Sequence, residues 1–150
     1  MAARMGTAGL SGTQIKLGET FDGSNQLAVK VGKQGQILAV LNLIVLAIKQ
    51  GDRPTLETQT ASMVNNTRAA YGTKGMTSSC REPEETVLGG FLARQVLCMA
   101  LKDNADILQQ LLIATVGRHT AQALSFTVSP TNFATYKPDF AATRDSLRID

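Results

Sequence analysis

Apolar residues alternate near the start of the chain, form one long run interrupted by Asn42 after that, and then recur at three- and four-residue spacing through the middle. Gln14–Leu17 and Leu27–Val31 alternate polar with apolar side chains on either side of Asp22-Gly23-Ser24-Asn25, a pattern that predicts a small β-hairpin. Seven of the thirteen glycines fall in residues 1–36, too many for a helix, so this zone reads as a Gly-rich arm. Ile37–Ile48 is apolar except for Asn42. Its length, with Gly51 and Pro54 just beyond, predicts a buried helix, while its β-branched content keeps a strand pair open.

A second helix is predicted from Pro54 to Tyr71, with Leu56, Met63, Val64, Ala70 and Tyr71 as its apolar stripe. A third starts at Pro83-Glu84-Glu85 and carries Val87, Leu88, Phe91, Leu92, Val96 and Met99, interrupted at Gly89-Gly90. Asp103 or Asn104 then caps a fourth, in which Ile107, Leu108, Leu111, Leu112 and Val116 share one face. After Val128, Pro130 and Pro138 break the spacing, and a short helix over Asp139–Ile149 is expected. The fold class expected is therefore mainly α, a compact bundle of about four helices. An amino-terminal arm occupies 1–36, the helical core 37–127, and an extended aromatic arm 128–150.

Composition modifies this picture in a few places. A hydrophobic fraction of 43% in 150 residues supports one globular domain, and an aromatic fraction of 5% without Trp demands an aliphatic core. The net charge of +3 is mild but unevenly spread. Lys49–Arg81 holds five basic and two acidic residues, and Glu82–Asp106 the reverse, an asymmetry suited to head-to-tail contact between copies. Cys80 sits in a polar stretch and Cys98 in an apolar one, so free buried thiols are expected rather than a bridge. With no apolar run at Met1–Thr7, an intracellular, reducing setting is expected, cytoplasmic or within a virion. The dozen apolar residues from Ile37 fall short of the roughly 20 that a spanning helix needs, so no membrane is expected.

Candidate chemistry is sparse. His119 is the one histidine, and with two separated cysteines it makes neither a zinc site nor a nucleophilic triad. Glu82, Glu84 and Glu85 are accounted for by a helix start. Neither Gly32-Lys33-Gln34-Gly35 nor Gly72–Ser78 has the order of a phosphate loop. No catalytic residue, metal or cofactor is expected. Two sets of residues remain. Arg53, Arg68, Lys74 and Arg81 could converge to track a nucleic-acid backbone. Phe126, Phe133, Tyr136 and Phe140 gather four of the seven aromatics in a Pro-broken segment, as a self-assembly interface would. By analogy of fold alone, the expected function is a self-assembling, capsid- or nucleocapsid-like structural subunit, homo-oligomeric and with a capacity for nucleic acid. A small helical adaptor or regulatory protein offering a groove to a partner comes second, and an enzyme third.

Overall fold

The computed structural model describes residues 13–20, 23–49, 51 and 53–149, with side chains placed from Gln26 onward. The chain is a sheet protein. Eight strands form one antiparallel sheet: β1 (Thr13–Thr20), β2 (Gly23–Val31), β3 (Ile37–Ala47), β4 (Thr77–Cys80), β5 (Glu84–Leu88), β6 (Phe91–Lys102), β7 (Ala105–Val116) and β8 (Thr120–Val128). Their order is β1-β2-β3-β8-β7-β6-β4, and β5 also pairs with β6. Helix α1 (Leu56–Gly72) joins β3 to β4, and α2 (Phe133–Asp145) follows β8 after a single 3-10 turn.

The expected four-helix bundle is thus overturned, and the reason lies in burial. Leu111 and Ile113 of β7 pack in one cluster with Leu124, Phe126 and Phe140, whereas Leu112 and Ala114 pack in a second with Met63, Val96 and Cys98. Successive side chains of a strand point to opposite faces, so the two clusters lie on opposite sides of the sheet, one under each helix. A strand covered on both faces is apolar at every position, and its alternation disappears. The continuous apolar runs Val96–Leu101 of β6 and Leu111–Ala114 of β7 satisfy a helical template by accident. The turns carry the correct signal. Gly89 and Gly90 (φ +60° and +89°) connect β5 to β6, and Asp103 and Asn104 (φ +53° and +63°) connect β6 to β7. Two consecutive left-handed residues are the signature of the tightest hairpin loop, and Asp and Asn are the non-glycine residues that best tolerate it.

The run Ile37–Ala47 is likewise one long strand, buried at Ala39, Leu41, Leu43 and Val45. The alternation at the amino-terminal end does mark strands, with Thr20 of β1 opposite Gly23 of β2. That hairpin is no separate arm, because β2 pairs with β3 along its length. The first twelve residues of the expected arm, Met1–Gly12, lie outside the described residues. In α1, Thr55 and Thr58 exchange side-chain and backbone hydrogen bonds in a reciprocal cap, after which Thr60, Met63, Thr67 and Tyr71 turn toward the sheet.

The carboxy-terminal aromatics belong to this chain's own core. Phe126 is fully buried, and its ring stacks on that of Phe140 with centroids 4.9 Å apart. Phe133 lies 6.0 Å from the Phe126 ring, and Tyr136 packs on the same cluster. Phe133, Tyr136, Phe140, Thr143 and Leu147 follow three- and four-residue spacing, a helical stripe that two prolines disguise. Pro130 sits at the start of the 3-10 turn, where no donor is needed, and Pro138 costs α2 one hydrogen bond near its beginning. The tail then folds back so closely that a Cβ on Gly89 would come within 2.7 Å of the Ile149 side chain.

The cysteines are not free. β4 and β6 pair with Cys80 directly opposite Cys98, and the two form a disulfide. The polar setting of Cys80 reflects an edge strand, not a different part of the molecule. The bridge closes a loop with a sequence separation of 18 that contains the β5–β6 hairpin turn. Joint replacement Cys80→Ser and Cys98→Ser should lower the unfolding free energy by about 3 kcal/mol. Urea titration of both proteins measures this, and coincident midpoints in oxidising buffer would show that the bridge adds no stability.

Candidate functional site

Helix α1 crosses the sheet as a ridge and covers β4, β6 and β7 but leaves the same face of β3 and β8 open. A groove of about 400 Å³ runs along that open side. Its floor follows from strand register. Asn42, Ser125 and Leu112 form one cross-strand row, and Val40, Thr127, Gln110, Cys98 and Cys80 form the next. The disulfide therefore ends the row that begins under the groove. Ile44 and Ala123 form the preceding, apolar row. From the ridge, Met63, Asn66, Thr67 and Tyr71 face the cavity, and Lys74 stands in the loop just past the helix.

Two features of the groove are polar and withdrawn from solvent. Tyr71 is buried, and its hydroxyl donates to Oε1 of Gln110, tying the last turn of α1 to β7. Burial disfavours the phenolate and pushes the Tyr71 pKa up to about 12 from 10.0. Asn42 is half-buried, and its Oδ1 is enclosed without a hydrogen-bond partner. Such an acceptor costs the free protein stability unless something satisfies it. Among the described residues lining the groove, only Tyr71 and Lys74 can titrate, and none of them is a carboxylate or imidazole for proton transfer.

On the opposite side of the ridge lies a second cleft, of about 440 Å³, between α1 and the β4–β6 edge. Arg68 and Arg81 meet there with Arg94, and Glu57 and Glu82 share the lining. The four cations singled out from the sequence thus serve three places. Lys74 borders the groove, while Arg68 and Arg81 line the cleft. Arg53 donates to the carbonyls of Gly117 (2.7 Å) and Arg118 (3.1 Å), fixing the approach to α1 against the β7–β8 turn. His119 is exposed in that turn. Among the described residues no group of three or more His, Cys, Asp or Glu converges as a metal site would. The residues that sequence reasoning missed are Asn42, Gln110, Ser125 and Thr127. Each is a polar interruption in an apolar strand, which was the signal available.

A family model described as a domain of unknown function (DUF4946) matches residues 16–149. The chain belongs to that family. A comparison with curated proteins finds no match. Among solved structures, the chain is similar to the cyanobacterial PsbP protein (CyanoP) of Synechocystis sp. PCC 6803, with a TM-score of 0.60 at 10% identity over 91% of this chain and 92% of that one. It is also similar to PA94 of Pseudomonas aeruginosa, a protein of unknown function suggested to be a regulator, with a TM-score of 0.58 at 13% identity over 91% and 98%. LpqN of Mycobacterium tuberculosis, involved in cell envelope biogenesis, superposes with a TM-score of 0.50 at 14% identity over 97% and 89%.

At such identities the likeness is one of fold: this family member has the PsbP-like architecture of a sheet between helices. The capsid-like, self-assembling reading is corrected accordingly. It rested on a helical core and on aromatics in want of a partner. The core is a sheet, the aromatics fill it, and the similar structures are PsbP-like and cell-envelope proteins.

The Tyr71 shift has a consequence for stability. A proton held more tightly in the folded state than in the unfolded one destabilises folding as pH rises through the gap between the two values. Stability should therefore fall between pH 10.0 and about 12 as unfolded chains lose the phenolic proton first. In Tyr71→Phe that part of the alkaline decline should be absent. Denaturation at several alkaline pH values tests it, and parallel declines in the two proteins would contradict the assignment.

Proposed function

We propose that this protein is a non-catalytic binding domain that holds a ligand or partner segment in the groove beside α1. The observation that carries this reading is the groove's composition. It joins an apolar row (Ile44, Ala123) to neutral hydrogen-bonding groups (Asn42, Ser125, Thr127, Gln110), with one cation at the rim. Binding pockets commonly combine an apolar lining with a few fixed polar groups, in cavities of roughly 300–1,000 Å³. Chemistry instead requires titratable groups poised near the working pH. Tyr71, with its raised pKa, remains a neutral hydrogen-bond donor at ordinary pH. The reading is the sheet-based counterpart of an adaptor that offers a groove to its partner.

The compartment proposed with it is an oxidising one, outside the cytoplasm. Disulfides persist where thiol-reducing systems are absent, and Cys80–Cys98 joins two strands under α1.

A bulky side chain on the groove floor provides the test. Ser125 is half-buried in β8 beneath the opening, so Ser125→Phe should fill the cavity and leave the α2-side core untouched. An environment-sensitive apolar dye should bind the wild type and bind the variant at least about tenfold more weakly, a loss of ~1.4 kcal/mol. Circular dichroism should remain unchanged. Equal dye binding by the two proteins would remove the groove as the site, and turnover of substrate by the purified wild type would overturn the non-catalytic reading.

A further inference from the structure

Resting on that reading, the groove's chemistry identifies a class of ligand. We infer that the groove takes the carboxy-terminal end of an extended peptide, with an apolar terminal side chain on the Ile44–Leu112 floor and the free carboxylate facing Lys74.

Charge gives the first step. Among the described residues Lys74 is the one ionic group of the lining, and no Asp or Glu there neutralises it. A ligand with a single negative group complements this lining, whereas a cation meets no partner.

The neutral groups give the second step. Asn42, Asn66 and Gln110 present three side-chain amides around one cavity, with Ser125 and Thr127 between them on the floor. Amides and hydroxyls can both donate and accept, which matches a peptide backbone offering an N–H and a C=O at each residue. A plain hydrocarbon tail would leave these groups without partners, at a cost in affinity. Asn42 adds a specific deficit: its Oδ1 is enclosed without a partner. A ligand N–H meets this oxygen once the Asn42 side chain swings toward the groove that it lines. Gln110 is already oriented, because its Oε1 accepts from Tyr71. Its remaining hydrogen-bonding capacity lies in Nε2, a donor.

Apolar surface gives the third step. Ile44 is half-buried although it belongs to a strand whose opposite face is closed, and Ala123 beside it is too small to cover it. Met63 and Leu112, packed together under α1, border them, so the half-buried Ile44 supplies the apolar surface that an aliphatic side chain would cover.

Calorimetric titration of the intact, oxidised protein with acetylated pentapeptides ending in Leu, Val, Ser or Asp tests the inference, each peptide as free acid and as carboxamide, with decanoate as a further probe. The free acids ending in Leu and Val should bind most tightly, and amidation should weaken them about threefold to fivefold, as expected for one partly solvated ionic contact. Lys74→Gln should abolish the difference between acid and amide. Asn42→Leu separates a binding role from a structural one. It removes the unsatisfied buried oxygen, so the melting temperature should hold or rise, while affinity for the Leu-terminated acid should fall about fivefold or more. A melting temperature that falls together with affinity would assign Asn42 to the fold and overturn its part in the inference. Tighter binding of decanoate than of every peptide, or equal binding of acids and amides, would overturn the peptide class. With dye binding to the groove intact, that outcome leaves the binding-domain reading standing. Loss of dye binding in the wild type would remove both.

Discussion

Strand β7 is enclosed on both faces over Leu111–Ala114, and the positions of the two helices follow from the need to cover it. Leu111 and Ile113 demand an apolar partner on one side, Leu112 and Ala114 on the other. Two helices of ordinary length meet the demand from opposite sides, and neither has the apolar surface to be stable alone. β8 also joins the two halves of the sheet, since the β1–β3 meander meets the β6–β8 meander through the pairing of β3 with β8, which sets Leu41 opposite Phe126 and Leu43 opposite Leu124. The helix-to-sheet contacts on the α2 side centre on those same residues. Phe126 in particular lies at the junction of the two meanders and under the Phe140 ring.

The two helices cover unequal parts of the sheet, and the groove is what remains. On the α2 side the cluster extends from Ala28 of β2 to Leu88 of β5, nearly the full width of the sheet. The α1 cluster reaches only Val96, Cys98, Leu112 and Ala114, with Ala123 at its margin. β8 accordingly carries small or polar residues on the α1 side (Ala123, Ser125, Thr127), and with Asn42 and Ile44 of β3 these form the floor. The Tyr71–Gln110 hydrogen bond and the disulfide bear on opposite flanks of the ridge. One fixes the end of α1 over β7, the other fixes the strand that the chain enters after leaving α1. The ridge has little freedom to close over the groove, so the cavity is a preformed one.

How much of this was legible in the sequence depends on whether an element is covered on one side or on two. Helix α1 has a solvent side, and its cap and stripe gave its limits to within two residues: Pro54–Tyr71 expected, Leu56–Gly72 observed. β1 and β2 showed their alternation. Strands β6 and β7 lose the pattern where both faces are covered, and a helical period could be fitted to the continuous apolar runs Val96–Leu101 and Leu111–Ala114. Punctuation was the better guide there. Gly89-Gly90 was read as a helix interruption and Asp103-Asn104 as a cap, yet both pairs fit a two-residue hairpin loop flanked by apolar runs. The disulfide was hidden for a related reason, since local polarity says nothing about which strands become neighbours.

The site was less legible than the fold, and the cause is physical. Catalytic centres announce themselves through titratable residues at characteristic spacing, while a neutral groove is built from Asn, Gln, Ser and Thr, residues that occur on any surface. What distinguishes Asn42 is its position within Ile37–Ala47, a strand otherwise composed of Ile, Leu, Val and Ala. A strand side chain that can hydrogen-bond, set among neighbours that cannot, lowers stability unless it is satisfied by the fold or by something that arrives later. Gln110 is satisfied by Tyr71, whereas the buried oxygen of Asn42 has no partner. Beside the groove's composition, the difference between these two amides, one answered within the chain and one enclosed without a partner, supports the proposal of binding on this face of the sheet.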